Sequence, residues 1–262
     1  MAYAGTDQQI RLQQRAEELH TWLYDTPGCC HPGRFCGTDD PQRLGWDVIE
    51  SALQRDQVFG FRLRPAQERQ ALAERLAQLG CQLHTWDVFY ATVADASATL
   101  RSQPAMPLPD GLTECVLDAG EPETRAVAIQ TFLAEQGMAP FSSRMLQGQL
   151  GPAATPYLLD GAGRVVACAH AYLPHNRFSA HEKTAWVGLV AVSPTQRGRR
   201  LGVYINARAI QLAAQLLGAT AVYELVAPGN EPSRRMVEAC GVRHRPELLC
   251  GMATQQENRF TV

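Results

Sequence analysis

Apolar residues at Ile10, Leu12, Ala16, Leu19 and Leu23 recur at helical spacing and predict an amphipathic helix over residues 8–24. The Gly/Pro/Cys-rich stretch 27–41 interrupts regular structure, and a helical pattern resumes from Trp46 to Leu53. The run VFGFRL after Gln57 reads as a strand, and PAQERQALAERLAQLG as a helix with proline in its first turn and Gly80 beyond its end. CQLHTWDVFYATV then alternates as a second strand. Pro104, Pro107 and Pro109 stiffen the connector that follows, and divide the chain into an N-terminal α/β region, residues 1–110, and a second region, residues 111–262.

In the second region LTECVLD predicts a strand, residues 121–135 a helix framed by Pro122 and Gly137, and SSRMLQGQL a further short helix. PYLLD and RVVACAHAYL flank Gly161-Ala162-Gly163 as a hairpin, and TAWVGLVAV is a third, continuously apolar strand. The basic turn SPTQRGRRLG leads into the helix VYINARAIQLAAQLLG, the strand AVYELVA and a last helix with Asn230 as N-cap, Pro232 in its first turn and Gly241 past its end. Strand, basic turn, helix, strand, helix is an α/β crossover whose first helix offers its N-terminal amides to an anion. No internal repeat or low-complexity tract is visible.

With 262 residues, 45% of them apolar, the chain has enough material for a sizeable core. A net charge of −2 with both signs interspersed gives no general attraction to nucleic acid or anionic lipid, and only Arg197, Arg199 and Arg200 form a basic cluster. The first residues lack the charged-then-apolar order of a signal peptide and no run approaches a membrane span, so a soluble, cytoplasmic protein is expected. Eight scattered cysteines in such a chain are expected as free thiols. Cys29, Cys30, His31 and Cys36 are zinc-ligand types, but their spacing matches no paired-ligand pattern, and no metal is expected.

Residues 112–253 resemble an acetyltransferase domain of the GNAT superfamily, most specifically over residues 185–242. The family runs from an apolar strand through Arg/Gln-x-x-Gly-x-Gly/Ala into a helix, and VAVSPTQRGRRLG is similar: Arg197 takes the Arg/Gln place and Gly202 the last Gly/Ala place. Arg200 stands where the middle glycine is usual, and brings a guanidinium suited to phosphate. The resemblance implies a mixed, largely antiparallel central sheet flanked by helices, with acetyl-CoA as co-substrate. It implies that Arg197, Gly198, Arg199, Arg200, Leu201 and Gly202 hold the pyrophosphate, and that Val190, Ala191 and Val192 pair with the pantetheine amides. In the family's Asn-x-x-Ser/Ala helix, Asn230 would face the cofactor arm and Ser233 the region of the sulfur.

By the same resemblance a neutral amine attacks the thioester directly, with strand amides near Leu189 and Val190 stabilising the oxyanion. The family's usual proton-transfer positions are occupied here by Val237 and Trp186, so the nearest substitutes are Glu182, His181 and Ser233. A solvated loop pair, and an ordinary first-turn serine, are the alternatives to those roles. Cys240 lies at helical spacing beside Met236 and Val237 and reads as a core residue, not a nucleophile.

Trp186, Tyr172, His170 and the loop LPHNRFSAHEK occupy the family's acceptor groove, an aromatic wall suited to a small amine. His170 and Tyr172 serve equally well as fillers of one strand face. The N-terminal region would close that groove or form a homodimer contact. Two other functions stay open: acetylation of a protein or peptide amine, for which no acidic run speaks, and a coenzyme A-binding regulatory module without turnover.

Overall fold

Local signals frame the helices where the pattern predicts them. Thr6 and Gln9 form a reciprocal capping box at the start of α1 (Asp7–Glu18), after which the chain turns at Leu19 into α2 (His20–Asp25), splitting the single helix expected there. Asp40 caps α3 (Pro41–Leu44), which leads into α4 (Trp46–Asp56). The computed structural model describes residues 2–255.

The remaining helices are α5 (Arg69–Gln78), α6 (Val93–Ser102), α7 (Glu123–Glu135), α8 (Ser143–Leu146), α9 (Leu201–Leu217) and α10 (Glu231–Ala239). The strands are β1 (Cys29–Cys30), β2 (Gly37–Thr38), β3 (Val58–Pro65), β4 (Gln82–Thr92), β5 (Thr113–Leu117), β6 (Ala153–Leu159), β7 (Val165–Tyr172), β8 (Thr184–Val192), β9 (Ala221–Val226), β10 (Arg243–His244) and β11 (Leu248–Thr254). SSRMLQGQL is helical only over α8, because Gly148 at φ 70° ends it and the Thr155 hydroxyl takes the Leu146 carbonyl. Helix α6, and the strands after Gly241, were not expected.

One mixed sheet runs β1-β2-β3-β11-β4-β9-β8-β7-β6-β5, with β10 paired to β4. Its pairs are antiparallel except β2 with β3 and β8 with β9. The division at residue 110 follows the chain but not the sheet. Strand β11, from the second region, lies between β3 and β4 of the first and is antiparallel to both. Strand β4 in turn pairs with β9.

A repeat absent from the sequence is present in the topology. The order β3-α5-β4-α6 has the same sense as β8-α9-β9-α10, and each first strand carries a leucine at positive φ, Leu63 at 50° and Leu189 at 51°. The two units differ in the gap between their parallel strands: β11 fills it in the first, while β8 and β9 in the second are direct neighbours. Hydrogen bonding saturates the first gap along its length, so only the second can admit a strand-like ligand.

Candidate active site

Strands β8 and β9 pair only from Thr184–Ala221 to Trp186–Tyr223, and beyond this point they part. On the other edge of β8, pairing with β7 shifts register between Cys168/Ala191 and His170/Gly188, leaving a bulge at Leu189 and Val190. Past Trp186, therefore, β8 has a neighbour on one side only, and its free edge faces the opening. Gly188 is needed for this shape, because a Cβ there would run into the Trp186 ring, which lies back along the strand toward the bulge.

Helices α9 and α10 both begin where β8 and β9 end, so their N-termini share this edge of the sheet. No side chain caps α9, and the amides of Gly198, Arg199, Arg200, Leu201, Gly202 and Val203 have no partner among the described residues. Arg197, Arg199 and Arg200 are exposed around them. Orphaned amides, the positive end of a long helix dipole and three guanidinium groups fit a pyrophosphate. Gly202 presses its Cα against the neighbouring helix: an added Cβ would lie 3.3 Å from Met236 Sδ.

Arg200, the departure from the family's glycine, is itself at φ 60°, ψ 16°. The left-handed turn that glycine usually provides is thus kept by an arginine under strain of about 1 kcal/mol. Arg200→Gly should accordingly be more stable than Arg200→Ala by about 1 kcal/mol, the reverse of the order expected inside a helix. Chemical unfolding of the two variants measures this, and an equal or greater stability of the alanine variant would refute the strain.

A cavity of about 160 Å³ adjoins the bulge. The second region gives it Trp186 and Leu189 of β8, Leu225 of β9, and Met138, Ala139 and Phe141 between α7 and α8. The first region supplies Arg34 and Phe35 of the β1–β2 loop, Arg62 of β3 and Trp86 of β4, and Met252 of β11 completes the wall. Phe141 is the hinge of the aromatic side, 5.7 Å from Trp186, 5.8 Å from Tyr172 and 5.3 Å from His170 between ring centroids. Among the described residues no carboxylate, imidazole or thiol lines the cavity.

The profile of the acetyltransferase (GNAT) family matches residues 124–242. The chain carries a GNAT acetyltransferase domain. Solved structures similar along the whole length show the same fold. They include a GCN5-related N-acetyltransferase from Kribbella flavida, 14% identical with a TM-score of 0.59 over 95% of this chain and 97% of that one. A Drosophila protein is 13% identical, TM-score 0.60, over 96% and 90% respectively. A tandem GNAT protein from the clavulanic acid biosynthesis pathway is 12% identical, TM-score 0.56, over 93% and 89%. Comparison with curated proteins gives no match.

Against this geometry the residues singled out in the sequence separate into two groups. Val190, Ala191 and Val192 follow the bulge of the GNAT domain along the free edge of β8, and residues 197–202 form the turn with unpaired amides. Asn230 and Ser233 sit at the same edge, where Asn230 Oδ1 accepts the Ser233 amide at 3.1 Å as a helix cap and leaves its Nδ2 free to donate.

Glu182 does not join them. It is exposed in the turn before β8, outside the cavity, and four strand residues, a rise of roughly 17 Å, separate Thr184 from Leu189 of the bulge. His181 lies beside His175, its centroid 5.3 Å away, and burial with that neighbour lowers its pKa.

The loop LPHNRFSAHEK is used to join the two regions. His175 Nδ1 meets Asp39 at 2.6 Å, Ser179 donates to the same carboxylate at 2.5 Å, and Asn176 Nδ2 donates to the carbonyls of Leu23, Thr26 and Cys29. His170 is fully buried, with Nδ1 2.7 Å from the Thr155 hydroxyl, and burial beside Arg34 pushes its pKa down to about 3. The Tyr172 hydroxyl donates to the His31 carbonyl at 2.8 Å. Both fill the core behind Phe141, and Trp186 alone of that expected wall reaches the cavity. Cys240 is a buried core thiol, pushed up to about 12 by burial with Glu224 nearby.

Sequence reasoning missed Arg34, Arg62, Phe141, Trp86 and Met252. Arg62 alone carried a local signal, a charge inside the apolar run VFGFRL. The eight cysteines are free thiols, Cys29 and Cys36 being held protonated by burial, with pKa values of about 12 and about 11. Among the described residues no three metal-ligand side chains converge, and no helix is long and apolar enough to cross a membrane.

Proposed function

We propose that this chain transfers an acetyl group from acetyl-CoA to the primary amine of a small-molecule acceptor, by direct attack with both substrates bound. The observation that carries this reading is the coincidence, at one edge of the sheet, of the parted β8 and β9, the Leu189 bulge, the uncapped N-terminus of α9 and an aromatic cavity. The similarity to the Kribbella flavida N-acetyltransferase and to the tandem GNAT protein agrees with it. Eight unpaired thiols suit a reducing, cytoplasmic setting.

When bound, acetyl-CoA supplies an activated acyl thioester. The amides of residues 198–203 and the Arg197, Arg199 and Arg200 guanidinium groups hold its phosphates. The free edge of β8 at Val190, Ala191 and Val192 aligns its amide arm, and Asn230 Nδ2 donates to the same arm. Amides of the bulge at Leu189 and Val190 stabilise the developing oxyanion, because they are fixed before the reaction begins. Ser233 is the hydroxyl we assign to the departing thiolate. A cavity of 160 Å³ walled by Phe141 and Trp186 favours a small acceptor over a protein segment.

Calorimetry should show association of acetyl-CoA with the full chain, and a panel of primary amines should release free thiol. No heat with acetyl-CoA or coenzyme A would end the proposal. The lack of any carboxylate or imidazole in the cavity favours one rival, a coenzyme A-binding module, and association without thiol release from any amine would establish it.

A further inference from the structure

Among the described residues Arg34 and Arg62 are the only charged ones lining the cavity, and both come from the N-terminal region, outside the matched GNAT segment. Arg62 is 5% exposed, and its Nη1 donates to the carbonyls of Phe61 at 3.1 Å and Gly251 at 3.0 Å. Arg34 Nε donates to the Pro140 carbonyl at 3.2 Å, Nη2 to that of Ala139, and its guanidinium stands 4.6 Å over the Phe141 ring. Neither pairs with a carboxylate among the described residues, as Arg64 does with Glu68 and Arg164 with Asp160. A buried and a half-buried guanidinium without a counter-ion are costly unless an anion arrives, and their planar donor forks suit a carboxylate.

We infer that the acceptor is a small amine that also carries a carboxylate, seated by Arg34 and Arg62, with a compact apolar body against Phe141, Trp186 and Met252. This rests on the acyltransferase reading above and names its substrate class. Size agrees: a cavity of about 150 Å³ takes a single benzene ring, and this one measures about 160 Å³. The same charges bear on proton transfer. Two fixed cations disfavour a third, so the acceptor ammonium loses its proton more readily in the cavity than in water, and a dedicated carboxylate base is not required. In the transfer, nitrogen forms a bond to the acyl carbon, the carbon–sulfur bond breaks with its electrons going to sulfur, and the nitrogen proton passes to solvent. The β3 bulge at Leu63 explains how Arg62 comes to the site, since the register shift between Leu249 and Gly251 turns the strand there.

The test uses matched pairs, L-leucine with isoamylamine and L-phenylalanine with phenethylamine, each differing by the carboxylate alone. Thiol release by the full chain with acetyl-CoA should favour the amino acid of each pair by at least tenfold in kcat/KM. Arg62→Gln and Arg34→Gln should each raise KM for the amino acid at least tenfold and pull the ratio toward one, and Arg62→Lys should restore part of it. Folding of each variant is checked by its unchanged calorimetric affinity for coenzyme A.

Binding of the amino acids to the coenzyme A complex, measured by calorimetry without reaction, separates the two claims. Carboxylate-dependent binding lost in Arg62→Gln, but with no turnover, would keep the clamp and remove the acyl transfer. Turnover of amines indifferent to the carboxylate would keep the transfer and overturn the clamp, as would the absence of any amino-acid binding.

Discussion

Glu224→Gln is expected to raise the melting temperature over the unaltered chain, and by roughly 4–8 °C more at pH 8 than at pH 6.5. Glu224 lies on β9 under α9, 3% exposed, and accepts from Asn206 Nδ2 at 2.9 Å. Burial raises its pKa to about 8, against which the Asn206 bond works weakly. Asn206 Oδ1 has no partner among the described residues. Protonation gives Glu224 a hydroxyl with which it can donate to that oxygen, so that carboxylic acid and amide can exchange two hydrogen bonds and tie α9 to β9.

The folded chain therefore holds a proton on Glu224 that the unfolded chain releases near pH 4.5, and stability from this group falls as pH rises from about 4.5 to about 8. His31 and His170 act in the opposite direction. Burial lowers them to about 4 and about 3, so the unfolded chain binds protons there below pH 6.5, and stability is lost as pH falls through that window. Opposing slopes put the maximum near pH 6.5 and leave Glu224 to dominate above it, at about 2 kcal/mol over the remaining 1.5 units. Glutamine keeps both hydrogen bonds and does not titrate. Thermal unfolding of both chains from pH 6.5 to 8.5 measures the difference, and parallel curves would show that Glu224 is ionised in the fold.

Gly202→Val should weaken coenzyme A binding at least tenfold. The first turn of α9 rests on Met236 of α10, and Val192 Cγ2 would lie 3.9 Å from a Cβ at residue 202. A branched side chain cannot enter there without tilting that turn, and the amides of residues 198–203 would then no longer converge on one anion. Arg197→Ala, by contrast, removes one exposed guanidinium and leaves the amides in place, for a loss of only several-fold. Titration calorimetry on the two folded variants gives the ranking. Equal losses would assign binding to charge alone, and unaltered affinity in both would place the phosphates elsewhere.

Most of the β8-α9-β9-α10 unit was legible in the sequence because its boundaries are set by neighbouring residues. Asn230 and Pro232 start α10, Gly218 ends α9 at φ 67°, and the continuous apolar run of TAWVGLVAV marks a strand covered on both faces. Glu182 shows the limit of the same logic. It is near β8 along the chain, yet the bulge and the parted edge lie at the far end of that strand. The segment LLCGMAT was equally unreadable as a strand partner, since its pairing with β3 joins positions as far apart as Val58 and Thr254.

What the sequence determined by itself was the basic turn before α9, the order of elements around it and the family they resemble, because caps, periodicity and left-handed turns act over a few residues. Tertiary structure alone decided that β11 closes the first gap and leaves the second open, and that Arg34 and Arg62 meet Phe141 and Trp186 around one cavity. Those outcomes depend on strand pairing and burial between residues far apart in the chain, and no local preference specifies which distant segments will meet.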